Sequence, residues 1–147
     1  LQGQIASRFL KVDFTRGEVL AFPLRELPVL SPYSDLKGRE ALLPVYSLEE
    51  ILAEKLRSLL TRAEPRDLYD IHYLLDHQLV DVEEMKFRMT EKFTAKGFVV
   101  SDLNAILEKR EKVFQRLWES RLGGQMPDIP PLDTVIRETK RFLQQHF

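Results

Sequence analysis

From Ile5 to Phe14 the chain alternates, with Ala6, Leu10, Val12 and Phe14 on one side and Ser7, Lys11 and Asp13 on the other. That period of two predicts a half-buried strand. Thr15-Arg16-Gly17-Glu18 reads as a tight turn, and Val19 to Leu24 as a short returning strand, before Pro23 and Pro28 break the pattern. Ser31 to Lys37 is a polar, Pro-containing loop, and Leu42 to Tyr46 adds one more short extended piece.

At Ser47 the period changes to about 3.6 residues, and Ser47 with Glu50 three residues on is a capping-box start. The first helix carries the apolar stripe Leu48, Ile51, Leu52, Leu56 and Leu59 and ends near Thr61 or Arg62. After a short link through Ala63 and Glu64, Pro65 suits the first position of a second helix, because its fixed φ and missing N–H cost nothing there. That helix runs to about His77 and buries Leu68, Ile71, Leu74 and Leu75. The rest reads as helical. Val82 to Ala95 carries Met85, Met89 and Phe93, and Gly97 breaks it. Ser101 or Asp102 caps a helix with Leu103, Ile106, Leu107, Val113, Phe114, Leu117 and Trp118 inward, which Gly123-Gly124 stops. A Pro-rich link, Met126 to Pro131, precedes a last helix from Asp133 to Gln145. The fold class is therefore α+β, with the strands first and helices predominating.

At 147 residues, 44% hydrophobic and 31% charged, the chain closes one ordinary core and falls outside the disordered and collagen-like classes. It contains no cysteine, which excludes disulfides and thiolate metal sites and fits a reducing compartment. Its apolar runs are too short for a membrane span, so the expected location is the cytoplasm. The first residue is Leu1, and Leu1 to Phe14 already reads as the inside of a domain, so an upstream portion is expected. A formal net charge of −1 excludes a surface that binds nucleic acid all over. Local basic patches remain: Lys109, Arg110, Lys112, Arg116 and Arg121 cluster, but Glu108, Glu111 and Glu119 balance them, as on a solvated helix face.

One residue conflicts with its surroundings. Lys55 is i+4 from Ile51 and i+7 from Leu48, so it projects from the inward stripe. Burying an unpaired ammonium costs several kcal/mol, so Lys55 must snorkel, meet a carboxylate, or border a cleft that takes an anion. Folding the hairpin near residue 63 or 64, at roughly 1.5 Å per residue, sets Lys55 opposite Asp70 to His72. Asp70 is then the best partner, and Asp67, one turn earlier, joins the cluster or simply favours the helix dipole. Arg62 and Arg66 bracket the link and present planar forks suited to phosphate, although Arg66 equally suits an i+4 pair with Asp70. Such a corner fits a nucleoside triphosphate, whose transfer chemistry rests on charge neutralisation and positioning. The same residues fit a structural salt-bridge cluster.

The run Val45-Tyr46-Ser47-Leu48-Glu49-Glu50-Ile51-Leu52-Ala53-Glu54-Lys55, with Arg62 and then Arg66-Asp67-Leu68-Tyr69-Asp70, resembles the AbiEii family of nucleotidyltransferase-like toxins. The resemblance is sharpest over residues 45 to 75 and looser before and after. It implies a polymerase-β-like fold: residues 1–46 as the remaining strands of the nucleotidyltransferase core, 47–80 as the motif-bearing helix pair, and 81–147 as a C-terminal helical region. It also implies Lys55 as the phosphate-contacting lysine, Asp67 and Asp70 as the acids of the second helical motif, and Asp13 as a metal-binding strand acid. The implied cofactors are Mg2+ and a nucleoside triphosphate. The implied acceptor is in some cases transfer RNA, and the implied protein partner is an antitoxin. The chain departs from the family pattern in lacking both Gly-Ser and Asp-x-Asp, the elements that hold the catalytic metals. Asp13 alone cannot replace them, so the chain by itself is expected to be inactive.

Other chemistry is poorly served. His72, His77 and His146 share no helical metal-ligand spacing and read as solvated or locally hydrogen-bonded. No serine or cysteine nucleophile motif or phosphate-binding loop occurs. Phe87, Phe93, Phe98, Phe114 and Trp118 suit a base-stacking platform, and at helical spacing suit a core. Two rival readings stand beside the toxin: a non-catalytic helical module binding a partner protein or RNA, and transfer to a small molecule such as an aminoglycoside.

Overall fold

The computed structural model describes residues 12, 14–29, 41–95 and 97–147. Among them are a two-stranded antiparallel sheet and five helices, an α+β fold with a helical majority: β1 (Arg25–Pro28), β2 (Leu42–Val45), α1 (Leu48–Thr61), α2 (Pro65–Asp76), α3 (Val82–Ala95), α4 (Asp102–Leu122) and α5 (Leu132–His146).

The strands depart most from expectation. The run from Ile5 to Phe14 lies outside the described residues except for Val12 and Phe14, which are not in a strand and are exposed, Phe14 to 90%. The turn at Gly17 is present, with φ +70° in the left-handed region that glycine tolerates. The returning strand expected at Val19–Leu24 does not form. The N–H groups of Ala21 and Phe22 instead donate to one carboxylate oxygen of Glu50, at 2.9 and 3.0 Å. Pro23 has no N–H to give and the two N–H groups before it are taken, so three consecutive positions are lost to a ladder, and the Phe22 ring turns into the core. Pairing begins only at Arg25, opposite Val45, and runs to Pro28 opposite Leu42. Each strand carries a proline, Pro28 and Pro44, as edge strands allow. The loop read from Ser31 to Lys37 lies outside the described residues.

The helices follow the apolar periodicity closely. Ser47 Oγ accepts from the Glu50 N–H at 3.2 Å, which starts α1. The other half of the capping box is not made, because the Glu50 side chain leaves for Ala21 and Phe22. Arg62 N–H bonds the Ser58 carbonyl where α1 stops. Pro65 opens α2 as its first residue. α1 packs on α2, α4 lies against both, α5 covers α2 and α4, and α3 touches α1. Their inner faces make one core of Leu52, Leu56, Leu59, Leu68, Ile71, Met85, Met89, Phe93, Leu103, Leu107, Phe114 and Leu143, with Phe22 inserted from the N-terminal segment. Leu48, assigned to the α1 stripe, sits at the first turn and is exposed. Of the aromatics weighed for base stacking, Phe93, Phe114 and Trp118 are buried and Phe87 is exposed. The Trp118 indole N–H bonds the Pro130 carbonyl at 2.9 Å, fastening the Pro-rich link to α4. Among the described residues no helix is long and apolar enough to cross a membrane.

Candidate functional site

The short link between α1 and α2 brings the C-terminal half of one against the N-terminal half of the other, and Lys55 meets its partners there. Its Nζ lies 2.6 Å from Asp70 Oδ2 and 3.0 Å from Asp67 Oδ1. The two aspartates are three residues apart, one turn along α2, so both address one point.

Asp67 is the tightest part of the corner. Its side chain is 2% exposed, and Arg62 reaches it with two guanidinium nitrogens, Nε at 2.7 Å to Oδ2 and Nη2 at 3.2 Å to Oδ1. A buried carboxylate with a forked arginine and an ammonium is fully paired. Asp70 is more open at 40%, and holds Lys55 from the rim. Burial alone would push the Lys55 ammonium down. The hydrogen bonds and charges of Asp70 and Asp67 more than reverse this, so Lys55 is held above its ordinary value and stays cationic.

The corner borders a hollow of about 400 Å³, lined by Lys55, Arg62, Arg66, Asp67 and Asp70, with Leu122 of α4 on the far wall. Arg66 is exposed on this rim, and among the described residues it forms no ion pair with Asp70, whose nearer partner is Lys55. Formal charges around the hollow are three positive and two negative, a net +1 on which anionic oxygens can settle. Mg2+ does not fit Asp67 and Asp70, because Lys55 already holds both and Arg62 also holds Asp67, and these charges would repel a further cation. Asp13 lies outside the described residues.

A second charged cluster goes beyond what the sequence pattern singled out. Lys92 of α3 is 1% exposed, and its Nζ bonds Glu50 Oε1 and lies 2.5 Å from Glu54 Oε1. Glu54 is also gripped by Arg57, at 2.7 and 3.1 Å. The signal is present in the sequence: Lys92 is i+3 from Met89 and i+7 from Met85, on the same apolar stripe, as Lys55 is on its own. α1 therefore offers acids to α3 on one side and a cation to α2 on the other. Arg110, read as part of a solvated basic face, instead donates to the Leu60 carbonyl at 3.1 Å and closes the C-terminal end of α1.

These features define an α+β protein whose cation-rich hollow is built by a helix hairpin through Lys55, Arg62 and an Arg-Asp-x-x-Asp run. The family model "Nucleotidyl transferase AbiEii toxin, Type IV TA system" matches residues 2–143, and the chain belongs to that family. No curated protein and no solved structure matches the chain.

Proposed function

We propose that the α1–α2 corner is the phosphate-handling part of a toxin that transfers a nucleotide from a nucleoside triphosphate to an acceptor, with transfer RNA the acceptor class. Membership of a toxin–antitoxin family supports the toxin role and an antitoxin partner. One observation carries the assignment to this corner: a charged lysine is held by two aspartates on the rim of a hollow that Arg66 also lines. Lys55 neutralises charge on the triphosphate, Asp67 and Asp70 fix where that charge sits, Arg62 locks Asp67, and Arg66 meets outer phosphate oxygens. A cation held in place beforehand lowers the barrier to phosphoryl and nucleotidyl transfer by stabilising the charge that develops in the transition state. In this scheme residues 47–80 are the motif-bearing pair, 1–46 belong to the catalytic core, and 81–147 wall the substrate cleft. No step through Mg2+ is assigned to Asp67 or Asp70. Asp13 is proposed as a metal-binding acid on the family resemblance alone.

The test is transfer of label from an α-32P nucleoside triphosphate to a transfer RNA pool by the natural full-length protein. Lys55→Ala should abolish labelling while the melting temperature falls by only a few degrees, because Asp67 keeps its forked bond to Arg62 and the more open Asp70 can turn toward water. Labelling at the wild-type rate would remove Lys55 from the mechanism. A second reading, a non-catalytic module that binds a partner protein or RNA, draws on the lack of Gly-Ser and Asp-x-Asp in these residues and on the pairing of both acids. It predicts no labelling by the wild type and undiminished partner capture by Lys55→Ala.

A further inference from the structure

At the other end of α2, away from Lys55, three metal-competent side chains converge across the α2–α5 contact. His72 Nε2 lies 2.8 Å from Glu138 Oε2, and one ligand atom each from His72, Asp76 and Glu138 fall within 4.8 Å of one another. The spacing that ruled out the histidines as a pair along one helix does not apply to a site shared by two helices. His72 and Asp76 are i and i+4 on α2, hence on one face, and Glu138 comes from α5. The three border a hollow of about 200 Å³ that shares no lining residue with the Lys55 corner.

Thr139, beside Glu138 on the same wall, is 1% exposed, and its hydroxyl has no hydrogen-bond partner among the described residues. A buried polar atom left unmet costs free energy unless water or a ligand answers it.

We propose that His72, Asp76 and Glu138 bind a divalent transition cation of the Zn2+ or Mn2+ type, fastening α2 to α5. The donors are one imidazole and two carboxylates with no sulfur, the mixed N/O set such ions accept. With metal–ligand bonds of about 2.1 Å, two ligands of a tetrahedral ion lie about 3.4 Å apart, so the widest pair must close by up to about 1.4 Å while the His72–Glu138 pair opens slightly from 2.8 Å. Asp76 is 60% exposed and free to swing in. The ion takes the place of the hydrogen between Nε2 and Oε2, the imidazole binding as the neutral tautomer with its one proton on Nδ1 and any surplus proton passing to solvent. Arg137 meets the other Glu138 oxygen, at 3.8 Å, and Arg141 lines the hollow. These cations compete with the ion, so the site should be weaker than a closed structural zinc centre. The proposal rests on no part of the Lys55 reading.

The test is calorimetric titration of the tag-free protein with Zn2+, Mn2+ and Mg2+, with melting curves beside it. One Zn2+ should bind and raise the melting temperature, Mn2+ should bind more weakly, and a large excess of Mg2+ should not displace Zn2+. Asp76→Asn leaves the His72–Glu138 hydrogen bond intact, so its metal-free melting temperature should equal wild type while its Zn2+ affinity falls at least about 100-fold, the top of the range for losing a ligand's supporting partner. Glu138→Gln should lose Zn2+ equally. Zn2+ binding unchanged in Asp76→Asn, or no binding below millimolar Zn2+, would overturn the site.

Discussion

Replacing Lys92 by Met removes the cation from the most deeply buried ion pair among the described residues while nearly keeping the volume of the side chain. Glu50, with no exposed side-chain surface, then has an oxygen facing apolar neighbours instead of an ammonium. Its other oxygen still accepts from Ala21 and Phe22. Glu54 is 20% exposed and keeps Arg57, so it suffers less. Breaking a buried pair by removing one partner costs about 3–5 kcal/mol, and the surviving backbone bonds to Glu50 put this case near ~3 kcal/mol. For a chain of this size each kcal/mol moves the midpoint by about 2–4 °C, so the melting temperature should fall by roughly 6–12 °C. Circular dichroism melts and urea titrations followed at 222 nm measure it. Adding Glu50→Gln to Lys92→Met should recover part of the loss, because a neutral amide needs no counter-ion and still accepts from the two N–H groups. A loss within about 0.5 kcal/mol, the range of surface substitutions, would show that Lys92 holds nothing together.

Two further outcomes follow from the charged clusters. Glu54 is held below its ordinary carboxylate value because the hydrogen bonds and charges of Arg57 and Lys92 outweigh its burial, so its contribution is present above pH 4.5 and lost as pH falls through the depressed value. Lys92 and Lys55 are held above theirs, so their contributions are complete below pH 10.5 and lost as pH rises through the raised values. Urea midpoints should therefore form a plateau with an acid limb and an alkaline limb, and an acid limb unchanged in Glu54→Gln would refute its assignment. Asp67→Asn should cost about 1–3 kcal/mol, less than a fully buried pair, since Arg62 and part of Lys55 reach water. Its melting temperature should respond less to added salt than that of wild type, and an equal or larger response would argue against the ion pairs.

The helices were legible because each needs one buried stripe, and a stripe of period 3.6 sustained over 12 to 21 residues cannot lie on one face of a strand. The periodicity places α3 to its last residue, and Pro65 marks the start of α2. The extended segments were legible only in part: the piece expected at Leu42 to Tyr46 is β2, but the return strand at Val19–Leu24 does not form and pairing starts at Arg25, because a strand depends on where its backbone groups find partners. Val19 to Leu24 carries strand-like residues, yet the N–H groups of Phe22 and Ala21 go to a glutamate 28 and 29 residues away. No local pattern announces that bond. The same glutamate looks like a helix cap, and its backbone N–H does donate to Ser47 while its side chain serves the tertiary fold.

The candidate site was legible through conflict: a lysine on an apolar face required an acid, and hairpin geometry named the region that supplied it. Applied evenly, the rule finds Lys92 as well, and the two lysines differ in ways that bear on the proposed function. Lys92 has no exposed side-chain surface and is closed in by two acids, so it is spent on structure. Lys55 keeps 27% of its side chain exposed, shares Asp67 with Arg62, and faces an open concavity. A charge needed only for stability gains by being sealed from water and salt, where its pairing is strongest. A charge needed for a ligand must stay accessible, which weakens the pair and leaves attraction unspent. On the proposed function, the openness of Lys55 is what would let a triphosphate compete with Asp67 and Asp70 for its charge.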